Sequence, residues 1–99
     1  MNISVNQTAD GVVLNIDGRI DTNTSPQLQN EILKAFQGSK NVSLNFAKVA
    51  YISSAGLRSL LIGQKTAASK GASMKLINVP DVVMTILNTV GFSKILTFG

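Results

Sequence analysis

Two consecutive serines stand where the sequence predicts the start of a helix. Ser53 and Ser54 are followed by Ala55 and Gly56 in the segment YISSAGLRSLL, which leads into an apolar pattern of helical spacing. A helix start leaves up to about four backbone N–H groups without intrahelical partners, and the helix dipole adds partial positive charge there. A serine hydroxyl at this position can therefore cap the helix or accept a phosphoryl group, which such a position accommodates well.

The composition excludes most kinds of catalytic site. The 99-residue chain contains no His and no Cys. It therefore cannot form a Ser-His-Asp or Cys-His nucleophile, an ordinary zinc site or a disulfide. Its five carboxylates show no metal-loop or paired acid/base spacing: Asp10, Asp17, Asp21, Glu31 and Asp81. We expect no enzyme activity, no cofactor and no metal. A hydrolase with Ser54 as nucleophile is a disfavoured alternative, because it would lack a histidine base.

The charge pattern does not indicate a nucleic-acid or membrane partner. The formal net charge of +4 reflects scarce acidic residues, and the lysines are scattered singly along the chain. Nucleic-acid-binding proteins usually concentrate basic residues on one face and often add stacking aromatic side chains. No apolar segment approaches the roughly 20 residues that span a bilayer, and the N-terminal residues do not resemble a secretory signal. We therefore expect a cytoplasmic protein with no nucleic-acid partner and no membrane insertion.

Apolar periodicity predicts seven elements in the order β-β-α-β-α-β-α, with residues 92–99 forming either a last strand or a packed turn. The Asp10-Gly11 turn joins the first two strands as an antiparallel hairpin. The βα units that follow require right-handed crossovers and a mainly parallel sheet. We therefore predict a single α/β domain over residues 1–99, with a mixed sheet of four to five strands and the helices mostly on one face.

Caps, breakers and apolar positions set the predicted element boundaries. The predicted strands cover residues 2–7, 12–18, 41–46 and 74–79. A hydroxyl of Thr24 or Ser25 caps the first helix, with Pro26 at the first helical position. A short loop with Lys48 and Tyr51 precedes the second helix, which ends near residue 70. Its predicted inner stripe is Leu57, Leu60, Leu61, Gln64 and Ala68. A third helix begins at residue 81 and is stopped by the glycine at position 91.

Three segments, taken together and in order, resemble the STAS domains of anti-sigma-factor antagonists. YISSAGLRSLL is similar to the signature of that family: an apolar residue, Asp or Ser, then Ser, a small residue, Gly and Leu. GRIDTNTSPQL resembles the approach to the first helix of the family, and ILNTVGFSKIL resembles its closing helix. The similarity extends over essentially the whole chain, and it implies the STAS fold.

The resemblance also implies a phosphorylation switch. In that family, the serine after the Asp-or-Ser position is phosphorylated by an ATP-dependent serine kinase of the GHKL type that is also an anti-sigma factor. That serine is Ser54 here. The dephosphorylated protein binds the kinase and releases the sigma factor, phosphorylation reverses this, and a metal-dependent serine phosphatase resets the cycle. Ser53 stands where many members have Asp, which makes Ser53 the second candidate acceptor.

The partner-binding surface implied by the resemblance surrounds these serines. It comprises Asp21, Thr24, Ser53, Ser54, Ala55, Gly56 and Arg58. Asp21 and Thr24 are also interpretable as loop or capping residues, and Arg58 as a solvated surface residue. Gly56 is interpreted first as a glycine that permits close packing. A functional alternative is a non-phosphorylated STAS scaffold or regulatory subunit, for example of a lipid-transport ABC complex.

Overall fold

A computed structural model describes residues 1–99, and it orders three helices and five strands along the chain. The strands are β1 (Asn2–Gln7), β2 (Val12–Ile20), β3 (Asn41–Ile52), β4 (Ser73–Ile77) and β5 (Thr97–Phe98). The helices are α1 (Ser25–Gly38), α2 (Ser54–Lys70) and α3 (Asp81–Thr89), followed by a 3₁₀ turn at Phe92–Lys94. The strands follow one another across the sheet in chain order, with β1 antiparallel to β2 and the other neighbours parallel. The predicted mixed sheet is confirmed.

One face of the sheet carries the hydrophobic core. Along β2, the buried side chains of Val12, Leu14 and Ile16 alternate with exposed or half-buried ones. Each parallel pair of neighbouring strands is joined through one helix, and right-handed crossovers taken in one direction place successive helices on the same side. The buried apolar residues form a single cluster of 20. The helices therefore cover one face, as predicted, and none of them is long and apolar enough to cross a membrane.

Strand β3 is longer than the sequence predicts because it contains two irregularities. Its last buried residues, Phe46, Val49 and Ile52, recur at every third position instead of every second. At two places β3 has one residue more than β2 between successive pairs. An extra residue of this kind is a β-bulge, and it shifts the alternation of the strand. At the first bulge, the side-chain oxygen of Asn45 accepts a hydrogen bond from the Ala47 N–H at 3.1 Å.

The prediction that the third strand ends near residue 46 is therefore wrong. Lys48 and Tyr51 lie within β3, paired with Asp17 and Arg19 of β2, and not in a loop. A strand assignment based on a period of two residues stops where a bulge breaks that period. As a result, β3 runs directly to the serines at the start of α2.

Helix α2 lies close to the sheet and to α1 through small residues. Its buried residues are Gly56, Leu57, Ser59, Leu60, Gly63 and Ala67. A Cβ atom on Gly63 would lie 2.8 Å from Met74 Sδ and 2.9 Å from Ile32 Cγ2, so the close approach requires a glycine. The predicted inner stripe is therefore wrong in part. Leu61 and Gln64 are only half-buried, and Ala68 is exposed.

The end of the chain combines the two forms that the sequence left open. After the 3₁₀ turn, β5 pairs in parallel with β4. Leu96, which lies between the 3₁₀ turn and β5 in the chain, is buried. Strand β4 ends two residues earlier than predicted, because Asn78 adopts a positive φ of 56° outside the strand. Pro80 then stands at the N-cap position of α3. The tail thus closes the sheet with a short strand.

Candidate functional site

The two serines at the start of α2 have different roles in the structure. Ser53 is the N-cap residue, and its Oγ accepts a hydrogen bond from the Gly56 N–H at 3.3 Å. Ser54 is the first residue of the helix; it is exposed, and its hydroxyl makes no hydrogen bond within the chain. Of the two serines whose hydroxyl could cap the helix, Ser53 does so and Ser54 does not. Because Ser53 caps the helix, the hydroxyl of Ser54 is available to another molecule.

Gly56 brings the first turn of α2 directly onto the sheet. A Cβ atom at this buried position would lie 2.6 Å from Ile20 Cγ2 and 2.7 Å from Ile52 Cγ1. Real Cβ atoms do not approach other heavy atoms so closely, so a larger residue would displace the helix or the side chains of Ile20 and Ile52. Gly56 thus acts on the site through packing, and its place beneath the surface agrees with the first interpretation given above.

The loop between β2 and α1 lies beside the start of α2. The backbone N–H of Ser53 donates to the carbonyl of Ile20 at 2.8 Å, which joins the ends of β2 and β3. The segments that follow β2 and β3 therefore lie side by side at the carboxyl ends of these two parallel strands. We call the surface formed by residues 21–24 and 53–58 the junction surface. These two segments include all seven residues that the resemblance implies for partner binding, of which Gly56 is buried beneath the surface.

The carboxylate of Asp21 organises its own loop. Its Oδ1 accepts hydrogen bonds from the backbone N–H groups of Asn23 at 2.9 Å and of Thr24 at 3.0 Å. These bonds, led by the one from the Thr24 N–H, hold the pKa of Asp21 below its ordinary value, with a smaller contribution from the nearby Arg19 charge. Partial burial acts in the opposite direction and does not cancel them. The Asp21 carboxylate thus connects the residues of its own loop through hydrogen bonds.

Thr24 also serves the loop and does not cap the helix. It occupies the N-cap position of α1, but its side chain makes no capping hydrogen bond. Its Oγ1 instead accepts from the Asp21 N–H at 2.8 Å and donates to the Arg19 carbonyl at 2.9 Å. The helix begins at Ser25, so Pro26 is its second residue and not its first. The sequence thus places a hydroxyl residue correctly at the N-cap position of α1, but the capping hydrogen bond that it predicts is not formed.

The part of the junction surface contributed by α2 presents free side chains. Ser54 and Arg58 are both exposed, and Ala55 is half-buried. Residues four positions apart in a helix lie on the same side, so Arg58 stands one turn below Ser54. The chain has no group of three or more His, Cys, Asp or Glu residues that could hold a metal ion. The site therefore offers a hydroxyl and a positive charge to a binding partner.

Two features beside the junction surface were missed from the sequence. The guanidinium of Arg19 lies 4.7 Å from the centre of the Tyr51 ring, and both side chains are exposed. Each residue lies two positions before the junction surface, and their contact depends on the register of β2 against β3. The other feature is the buried hydroxyl of Ser59, which donates to the Ser25 carbonyl at 3.2 Å and connects α2 to the start of α1.

The family is decided by comparison with known proteins. A family model described as the MlaB STAS domain matches residues 3–97. The chain belongs to the STAS domain family. This STAS domain is 24% identical over 96 residues to the anti-sigma-B factor antagonist of Bacillus subtilis (strain 168), a match that covers 97% of the chain and 88% of that protein.

Solved structures show the same fold. The anti-sigma factor antagonist SpoIIAA in its unphosphorylated form superposes with a TM-score of 0.81 at 18% identity, over 99% of this STAS domain and 88% of that chain. A Bacillus SpoIIAA in its phosphorylated form gives a TM-score of 0.74 at 19% identity, over 99% and 91% of the two chains. At these identities the likeness establishes the fold alone, and it confirms the predicted STAS fold.

Proposed function

We propose that this STAS domain is a cytoplasmic anti-sigma-factor antagonist that is switched by phosphorylation of Ser54. The observation that carries the proposal is the exposed hydroxyl of Ser54, which has no bond within the chain while Ser53 caps the helix. A kinase needs a hydroxyl that it can reach without unfolding its substrate. The match to an anti-sigma-B factor antagonist supports the class of partner.

Phosphorylation at this position changes the charge of the junction surface. A phosphoserine carries about −1.5 to −2 charges at pH 7. Among the charged side chains of the junction surface, Arg58 is exposed one turn from Ser54, whereas the carboxylate of Asp21 is half-buried and bonded within its loop. Arg19 lies just outside the surface, near the end of β2. A partner that fits the unmodified surface must therefore accommodate positive charge, and the phosphate would oppose it. Each tenfold loss of affinity requires only about 1.4 kcal/mol.

The proposed partner is an anti-sigma factor that is also a serine kinase of the GHKL type. In the dephosphorylated state the STAS domain binds this kinase, and the sigma factor is released. Transfer of the ATP γ-phosphoryl group to Ser54 Oγ, with loss of the hydroxyl proton, forms the phosphoserine and ADP. The phosphorylated protein dissociates from the kinase, and a metal-dependent serine phosphatase hydrolyses the phosphoserine. No group of this chain needs to act as a catalyst in either step.

Ser53 is a poorer acceptor on physical grounds. Its hydroxyl is half-buried, and its oxygen accepts the Gly56 N–H. Replacement of a serine cap costs about 1 kcal/mol of stability, whereas Ser54 has no such bond to lose. The aspartate that many STAS members have before the phosphorylated serine can cap a helix in the same way as Ser53, so Ser53 has a structural purpose of its own.

The proposal is tested by phosphorylation and binding with matched variants. The purified chain is incubated with candidate serine kinases and Mg-ATP, and the phosphoryl group is located by mass spectrometry. We expect modification of the wild type and of Ser53→Ala, and none of Ser54→Ala. Modification that persists in Ser54→Ala and disappears in Ser53→Ala would move the switch to Ser53.

Binding distinguishes the switch from the scaffold alternative. The affinity of each variant for the kinase is measured by calorimetry without ATP, with Ser54→Ala as the unmodified reference. We expect Ser54→Asp and the phosphorylated protein to bind more weakly than Ser54→Ala, the phosphorylated protein by at least about tenfold. A complex with an ATPase subunit that is equally tight for all forms would support the scaffold or regulatory subunit instead.

A further inference from the structure

The two edges of the sheet differ in how they are protected. The edge strand β5 has two residues, whereas β1 at the opposite edge has six. The sequence of β1 is NISVNQ, which contains no charged residue and no proline, and its pairing with β2 runs without a bulge. Native edge strands usually carry lysine, proline, a bulge or a covering element that prevents pairing with another strand. Strand β1 has none of the first three.

The helical layer also leaves β1 partly uncovered. Of the two apolar side chains that β1 directs toward the helical side, Ile3 is half-buried against the core and Val5 is 48% exposed. Asn2, Ser4 and Asn6 face the other side of the sheet, and all three are exposed. The strand therefore presents both an unpaired backbone edge and an exposed apolar side chain, that of Val5.

The residue pattern of β1 is symmetric about Ser4. Asn2 and Asn6 lie two positions before and after Ser4, on the same face of the strand as Ser4. Ile3 and Val5 lie one position before and after it, on the opposite face. If two copies of β1 pair antiparallel with Ser4 opposite Ser4, then Ile3 lies opposite Val5 and Asn2 opposite Asn6. Each class of residue thus meets its own class. A one-residue slip would place apolar side chains opposite polar ones, since alternate residues point to opposite faces.

We propose that β1 is a homodimerisation edge, at which two copies of this chain pair antiparallel about a two-fold axis at Ser4. A symmetric dimer requires a patch that is complementary to itself, which the pattern of β1 provides. The two five-stranded sheets then form one continuous sheet with both helical layers on the same side. Val5 of each copy gains an apolar neighbour in the partner's Ile3.

The dimer does not depend on the phosphorylation switch. None of the residues that pair belongs to the junction surface, so the strand pairing does not use Ser54 or Arg58. One strand pair buries less area than the roughly 1,200–2,000 Å² of a standard stable interface. We therefore expect a weak, reversible dimer whose population rises with protein concentration.

The first test uses charges placed at the two-fold axis. Sedimentation velocity over a range of concentrations is expected to show a monomer–dimer equilibrium for the wild type. Ser4→Lys alone and Ser4→Glu alone place like charges opposite one another, and each is expected to weaken the dimer about tenfold or more. A mixture of the two variants is expected to restore it. Asn88→Lys and Asn88→Glu, at an exposed position of α3, are the matched controls and leave the equilibrium unchanged.

The second test uses cysteines to establish the register, since the chain has no cysteine of its own. Directly opposed residues in antiparallel strands have Cα atoms about 4.5–5.5 Å apart, which a disulfide can bridge. We expect Ser4→Cys to oxidise to a covalent dimer much faster than Asn88→Cys. Asn2→Cys and Asn6→Cys are expected to crosslink when mixed, and neither when alone.

Several results would overturn the proposal. They are a monomer at every concentration up to the millimolar range, a dimer that survives both Ser4 charge variants, and larger assemblies that grow through both edges. Equal oxidation of Ser4→Cys and Asn88→Cys would also overturn it. Urea unfolding of each variant establishes that a lost dimer is not a lost fold.

Discussion

The two segments of the junction surface differ in whether their polar side chains are hydrogen-bonded within the chain. In the β2–α1 loop, the side chains of Asp21 and Thr24 are bonded to that loop and to the strand before it. At the start of α2, only Ser53 is bonded in this way, while Ser54 and Arg58 remain free. A side chain that already has its partners holds a shape, whereas a free one can bind or be modified. The β2–α1 loop therefore fixes the shape of the junction surface, and the start of α2 supplies the groups that can bind a partner or be phosphorylated.

The largest expected effect comes from the packing that positions the helix start. Gly56→Val inserts atoms where even a Cβ would lie 2.6 Å from Ile20 Cγ2, and Gly56 has no positive φ that would add strain of its own. We expect a loss of about 3 kcal/mol in the free energy of unfolding, the upper part of the usual range for overpacking. Urea denaturation measures it.

Gly38→Val is the matched control for this change. No atom lies within 4 Å of a Cβ built at Gly38, so its free energy of unfolding should change by about 0.5 kcal/mol or less. Equal losses at the two glycines would mean that the close contact of α2 with the sheet at Gly56 does not determine the cost of the substitution.

The next effect separates the two serines by stability instead of by modification. Ser53→Ala removes the acceptor of the Gly56 N–H and is expected to cost about 1 kcal/mol. Ser54→Ala removes no bond within the chain and should stay within about 0.5 kcal/mol of the wild type. Chemical denaturation of the two variants under the same conditions makes the comparison. A larger loss for Ser54→Ala would show that the free hydroxyl is structural after all.

A smaller effect is expected where the two loops leave their strands. Contact between the Arg19 guanidinium and the Tyr51 ring, at 4.7 Å, is of the size that contributes about 0.5–1 kcal/mol at exposed sites. A double-mutant cycle with Arg19→Ala and Tyr51→Ala is expected to give a coupling energy in that range. Tyr51→Phe keeps the aromatic face and should preserve most of it. A coupling energy of zero would reduce the pair to two independent surface residues.

The sequence predicts the order of elements, the mixed sheet and the helix start at Ser53 and Ser54 because caps and apolar periods are local signals. It does not predict the end of β3, since the bulges after Phe46 break the period on which a strand is recognised. The Arg19–Tyr51 contact follows from the register that those bulges produce. The division of roles between Ser53 and Ser54 required geometry, because either hydroxyl is suitable for a cap by residue type alone.

The smallest expected effect concerns pH and the β2–α1 loop. The folded-state pKa of Asp21 is lowered by the Thr24 and Asn23 N–H groups, so its ionised form stabilises the fold. That contribution is complete above the ordinary aspartate pKa of about 3.9, and it is lost as the pH falls through the lower folded value. NMR titration of the Asp21 carboxyl should give a midpoint below about 3.9, with the Asn23 and Thr24 amide signals moving at the same midpoint. Asp21→Asn should abolish that shared transition while the Gly56 amide of the α2 cap stays unchanged, because Ser53 holds the cap independently. If the Gly56 amide signal instead moved at the same midpoint as the loop amides, the two halves of the junction surface would be one coupled unit. The distinction between a loop that fixes the shape and a helix start that binds the partner would then fail.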